Sequence, residues 1–222
     1  MPTSAPESES VNSKPPRRRQ QDRTRITREK LMRAAIDVLL REGYSRLTTK
    51  EVARIAGVSN GALMHHFDSK AELVVAATAM VYDEAIERGQ RIAQTANAHT
   101  KPVEGFISDC VSVYFDWPFI AALESIMVAR TDDDLMERIL PVMEHYRRTC
   151  DEIWLSVFRR AGIPVRQARL ILNLTLNLVR GMAVNRIWRH DDLHYQEYLK
   201  EWVAVTAREL TARASSRKRR SA

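Results

Sequence analysis

At 222 residues the chain is long enough for one small and one medium domain, and its 45% hydrophobic content is enough to build a core in each. Its two cysteines, Cys110 and Cys150, are far apart and belong to no Cys–His cluster; this excludes a disulfide framework and a structural zinc site and suits a reducing cytoplasm. The formal charge of +7 is uneven: residues 14–33 carry a net +7 and residues 213–220 a net +5, which leaves −5 on the rest, and no apolar run is long enough to span a bilayer.

Residues 1–13 are polar, with Pro, Ser and Glu, and lack the apolar core of a signal peptide. With Lys14, Arg17, Arg18, Arg19 and Arg23 they make 1–24 a disordered basic tail. The first predicted helix starts after Thr27, with Ile26 and Leu31 in staple positions, and ends near Gly43. Thr48 and Glu51 then form a capping box for a second helix, flanked by Leu47 and Val52 as a staple. Gly57 supplies the positive φ that ends this helix, and Ser59 caps the next one at once. That third helix is about two turns long, too short to stand alone.

Val52, Ala53, Ala56, Val58, Leu63 and Phe67 give this segment its apolar inner face, while Asn60, Gly61, Met64 and His65 point outward and are mostly small or polar. An ordinary helical hairpin has the same periodicity. A helix-turn-helix, whose second helix enters the DNA major groove, accounts also for the basic arm just ahead of it, because Arg25 and its neighbours suit phosphate contact and counterion release.

The run Ile-Ala-Gly-Val-Ser-Asn-Gly-Ala-Leu-Met-His-His-Phe-Asp-Ser-Lys-Ala-Glu-Leu, residues 55–73, carries a family resemblance, and the segment from Ala34-Ala35 to Gly43-Tyr44 extends it. Residues 27–73 resemble the DNA-binding domain of the tetracycline-repressor (TetR) family of bacterial transcription regulators. The resemblance implies DNA phosphate contacts for His66 and Lys70, and makes Thr48 and Thr49 candidates for the same role; Ser59, Asn60, Gly61 and His65 complete the expected DNA-binding set. One departure stands out. The family usually has Tyr after the leucine of the recognition helix, where this chain has Met64, so a phosphate bond from that Tyr is not inherited.

The fourth predicted helix starts at Ser69, boxed with Glu72, and runs about 25 residues into the nineties. Residues 95–101 form a polar break, and Pro102 opens the fifth helix. Phe106, Cys110, Val113 and Trp117 line one face of it until Trp117-Pro118 interrupts it and starts the sixth. Asp132, Asp133 and Asp134 favour the start of a seventh, kinked at Pro141 and reaching Gly162. Pro164 begins the eighth, to about Arg189; Asp191 and Asp192 mark the turn into the ninth, which ends around Arg213.

The eighth predicted helix is mainly apolar over 170–187 and is expected to be buried nearly all round. Asn173, Asn177 and Arg180 fall at i, i+4 and i+7 on one face of it. Buried amides and a guanidinium need partners, so the stripe either lines a ligand cavity or joins facing helices or a dimer partner. Glu124, alone in the apolar run 119–127, is the expected partner of Arg180. Trp117, Phe119, Met127 and Trp154 are candidate pocket walls alongside Met143, Phe158 and Met182; for any one of them ordinary core packing is the better reading, while together they suit an adaptable cavity. The resemblance adds that this region of TetR-like proteins binds a small inducer. His190 and His194 have metal-ligand spacing but straddle the Asp191-Asp192 turn, which reads as solvated.

No Gly-rich phosphate loop, Gly-x-Ser-x-Gly or His-Glu-x-x-His occurs, so no enzyme reading has support. The expected protein is all-α: a basic tail (1–24), a helix-turn-helix head (25–69), a helical ligand-binding and dimerisation domain (70–213), and a second basic tail (214–222). It is a cytoplasmic, ligand-responsive repressor without cofactor or metal. Its partners are operator DNA, a small-molecule inducer and a second copy of itself, docked through the eighth and ninth predicted helices; the ninth offers the stripe Tyr195, Leu199, Trp202, Val203, Thr206 and Leu210. The alternatives are a constitutive architectural DNA-binding dimer and, further off, an all-α enzyme.

Overall fold

The computed structural model describes residues 16–115, 119–189 and 192–220. Among them are ten α-helices and no strand: α1 (Pro16–Arg46), α2 (Thr49–Ala56), α3 (Asn60–His66), α4 (Lys70–Ala93), α5 (Ala96–Thr100), α6 (Pro102–Tyr114), α7 (Phe119–Ala129), α8 (Asp133–Arg160), α9 (Val165–Asn185) and α10 (Asp192–Arg220). No single described helix is long and apolar enough to cross a membrane.

The short helices begin and end where side chains satisfy the backbone. Thr48, Ser59 and Ser69 each accept a bond from the amide three residues on, at 3.0–3.2 Å, which removes one orphan donor per helix start. The Thr48 box is only half formed, because the Glu51 carboxylate turns to Arg54 at 2.6 and 2.8 Å. Glu72 does reach back, but to the amide of Asp68 (2.7 Å). Gly57 ends α2 at φ 69°, a left-handed conformation that glycine adopts without a Cβ clash.

Three boundaries differ from expectation. α1 starts at Pro16, not after Thr27; proline suits a first turn, and the Arg- and Gln-rich stretch that follows favours helix. Residues 16–24 are therefore helical, while 1–15 lie outside the described residues. The expected polar break holds the single turn α5, capped by Thr95 and anchored by the buried Ala98. α10 continues through Arg220, beyond the expected end near Arg213. The chain runs as helix through Pro141 inside α8.

Two main cores share one helix. Leu31, Val38, Leu47, Val52, Leu63 and Phe67 form the core of the head, together with Leu73, Val74 and Ala77 from the start of α4. The later part of α4, from Tyr82 to Ala93, belongs instead to the core of the second domain, built with α6, α8 and α9. α3 is anchored in the head by Leu63 and, one residue past its end, Phe67, both fully buried. Burying each is worth about 1.5–3 kcal/mol, which is what holds so short a helix in place. α7 reaches across from the second domain: its Ala121 is packed into the head core.

α9 is not buried all round. Leu170 is 52% and Leu174 46% exposed, and Asn173 and Asn177 lie on the same open side. The α10 stripe also departs from expectation. Tyr195 and Thr206 are buried, and Leu199, Trp202, Val203 and Leu210 pack onto the chain's own core. The outward apolar residues of α10 are Leu193, Tyr198 and Val205.

Candidate DNA-binding face and ligand cleft

The head presents α3 as a supported and accessible helix. Leu63 is fully buried beneath it, while Asn60, Gly61, Met64 and His65 are exposed on its outer side. Ser59 and Thr48 are exposed at the two helix starts; each hydroxyl accepts an amide bond and keeps its own proton to donate. Thr49 is half-buried and Arg25 is exposed on α1. Met64, 42% exposed, has no hydroxyl to offer a phosphate.

His66 and Lys70 frame the end of this face, and both are held. Arg28 donates to the His66 carbonyl at 2.7 Å, and its guanidinium lies 4.1 Å from the centre of the Phe67 ring. Arg28 thus locks the end of α3 onto α1. In the sequence it is one of many arginines in a basic run, and nothing in that run reveals which of them folds inward. Burial lowers the His66 pKa, and the positive neighbours His65 and Arg28 lower it further, so the imidazole favours its neutral form. Lys70 sits at the first turn of α4, with Nζ 4.3 Å from the centre of the Tyr44 ring. Burial lowers its pKa, and the Glu124 carboxylate opposes that shift.

Glu124 does not pair with Arg180. One of its carboxylate oxygens, Oε1, accepts the Tyr44 amide at 2.7 Å, at the end of α1. The reason is helical phase: the side of α7 that carries Ala121 and Glu124 is turned towards the head. Glu124 is therefore a joint between the domains and not a pocket residue.

In the second domain, α4, α8 and α9 enclose a cleft of about 510 Å³, within the usual size of small-molecule sites. Tyr82, Met143, Tyr146, Leu155, Arg147 and Arg180 contribute to its walls. Tyr82 stacks on Tyr146 with ring centres 4.4 Å apart. Arg180 Nη2 donates to the Tyr114 hydroxyl at 3.0 Å, and its guanidinium lies 5.1 Å from that ring's centre. Burial raises the pKa of both Tyr114 and Tyr146, keeping these phenols neutral.

Of the residues expected at a pocket, Arg180 and Met143 line this cleft. Asn173 faces outward and is held by Arg147 at 2.7 Å; Asn177 is exposed. The three share a helix face, but of them only Arg180 is half-buried, its long side chain reaching inward to Tyr114. Met127 is 57% exposed on α7. Phe119 is buried against Tyr114, edge to face. Trp117 lies outside the described residues. Trp154 is fully buried in the core, where its indole N–H donates to Asp109 at 2.6 Å.

Asp109 is a buried acid on the apolar helix α6 and was not among the expected site residues, though a carboxylate beside Cys110 in an apolar stripe is a visible signal. Its other oxygen has no donor among the described residues. Burial raises its pKa to about 6, against the opposing effects of the Trp154 bond and Arg88. Among the described residues no group of His, Cys, Asp and Glu is arranged to hold a metal ion.

The profile of a family described as bacterial regulatory proteins, tetR family, matches residues 31–77. The chain is similar to the HTH-type transcriptional regulator CymR of Pseudomonas putida, 32% identical over 182 residues, which span 82% of this chain and 90% of that one. It is also similar to an uncharacterized HTH-type transcriptional regulator of Mycobacterium tuberculosis, 24% identical over 76% of this chain and 87% of the other. Among solved structures, the TetR family transcriptional regulator PfmR of Thermus thermophilus has a TM-score of 0.56 at 18% identity, over 80% of this chain and 97% of that one. The regulator FadR of Bacillus subtilis, in complex with stearoyl-CoA, has a TM-score of 0.58 at 20% identity, over 79% and 97%. At these identities the two structures speak to the fold.

Proposed function

Because the chain belongs to the TetR family of bacterial regulatory proteins and is a DNA-binding transcription regulator and not an enzyme, we propose that it is a repressor released from its operator by a small molecule. The observation that carries this reading is α4. Its first turns are part of the head core and its later turns wall the cleft, through Tyr82. A ligand that repositions α4 in the cleft moves the base of the recognition helix with it.

In this reading α3 enters the major groove, with Asn60, Gly61, Met64 and His65 at base edges. Thr48, Thr49, Ser59, His66 and Lys70 hold phosphates, and Arg25 adds charge from α1. The outward faces of α9 and α10 meet a second copy, which supplies the second half-site. Leu170 and Leu174 on α9, with Tyr198 and Val205 on α10, are among the exposed apolar residues available for that contact.

The test has two stages. The purified protein selects bound fragments from genomic DNA, and footprinting of one fragment is expected to show a two-fold site with half-sites about one helical turn, or a multiple of it, apart. Fractionated metabolites are then screened for release of that DNA. Binding without any releasing fraction would leave a constitutive DNA-binding dimer.

A further inference from the structure

The cleft has an unbalanced charge at its base. Arg180 is half-buried, and among the described residues no carboxylate lies within ion-pair distance of it. Its one acceptor among the described residues is the Tyr114 hydroxyl, a neutral group. Its Nε is buried without an acceptor among the described residues. Removing a guanidinium from water without a counter-charge is costly, and proteins normally pair such a group.

The other charges of the cleft do not compensate it. Arg147 is already matched by Asp151, 3.1 Å away. At the rim, Arg148 and Arg169 are equalled in number by Glu144 and Glu152, all four exposed. One positive charge is left over, and it is the one at the base. Above it the walls are mainly hydrocarbon, from Leu140, Met143, Leu155 and the stacked pair Tyr82 and Tyr146.

We propose that the cleft binds an organic monocarboxylate with a hydrocarbon body, its carboxylate seated on Arg180. A carboxylate accepts two parallel N–H bonds from a guanidinium and supplies the missing charge, and the hydrocarbon body displaces water from the apolar walls. A phosphate dianion suits the site less well, since a single positive charge is uncompensated and acids stand at the rim. This assignment rests on the cleft being the effector site.

The experiment uses the full chain in chloride buffer at constant ionic strength. Octanoate and 3-phenylpropanoate are titrated by calorimetry, each beside its own primary amide. The acids are expected to bind, and the amides at least ~10-fold more weakly, because an amide cannot form the charged hydrogen-bonded pair. Arg180→Gln is expected to lose the same factor for the acids and to leave the amides unchanged. Arg180→Lys, which keeps the charge, is expected to fall between. If Arg180→Gln does not fold, the acid–amide comparison on the natural chain and on Arg180→Lys decides. Equal binding of acid and amide, unchanged acid affinity in Arg180→Gln, or no binding of either acid at millimolar concentration would overturn the inference. Release of operator DNA by neutral or cationic compounds alone would remove the carboxylate assignment and leave the ligand-responsive repressor standing.

Discussion

Glu124 Oε1 accepts the backbone N–H of Tyr44 at 2.7 Å, so a carboxylate of the second domain closes the end of the first helix of the head. The approach is close enough that a Cβ on Gly43 would stand 2.6 Å from the same oxygen. Gly43 also has φ +78°, which disfavours any side chain there.

Glu124→Ala leaves the Tyr44 amide without its acceptor and is expected to cost about 1–3 kcal/mol. Glu124→Gln keeps a carbonyl oxygen and is expected to cost less. Gly43→Ala combines the positive φ with the close approach of Glu124 and is expected to destabilise the natural chain more than it does a chain already carrying Glu124→Ala. Urea unfolding of the singles and the double measures this coupling. Additive costs would mean that the carboxylate and the glycine do not act together.

On the DNA-binding face, Lys70→Ala and His66→Ala are expected to weaken binding to operator and random duplex alike, since phosphate contacts position without specifying. The salt slope for duplex DNA is expected to become shallower by about 0.9, for the one phosphate that Lys70 no longer neutralises. Asn60→Ala is expected to change sequence preference instead. Binding to both DNAs over a salt series tests this, and unchanged slope and affinity after the double change would sink the placement of the phosphate contacts.

For the dimer, Leu174→Arg places a charge on the outward face of α9, where Leu174 is 46% exposed in the single chain. Its fold is expected to survive, because nearly half of the residue's surface already faces solvent and the longer side chain can reach it. Sedimentation is expected to show a monomer, and operator affinity is expected to fall with the loss of the second half-site. A dimer of unchanged strength would place the interface elsewhere.

Asp109 ties stability to pH. Its folded pKa is raised from 3.8 to about 6 by burial, so the folded chain keeps this proton longer than the unfolded one. The group's contribution is therefore most favourable below about pH 4 and declines as pH rises to about 6, by at most about 3 kcal/mol. Asp109→Asn keeps an acceptor for the Trp154 indole and never ionises. Thermal melts between pH 4 and 7 are expected to show a flatter stability profile for this variant, and parallel profiles would mean that Asp109 does not titrate in that range.

Local chemistry settled the head in advance. Thr48, Gly57, Ser59 and Ser69 act within three or four residues of themselves, so helix starts and stops were legible from spacing, and the apolar period put Leu63 inside and Asn60 outside. The partners of Glu124 and Arg180 were not legible in that way. Both are lone charges on apolar helices, and sequence supplies a reason for them to meet but no information on helix rotation. Tertiary packing turned Glu124 towards Tyr44 and Arg180 towards Tyr114. Asn173 and Asn177 went to the open side for the same reason: a helical period fixes which residues share a face, and only the neighbouring helices decide which way that face looks.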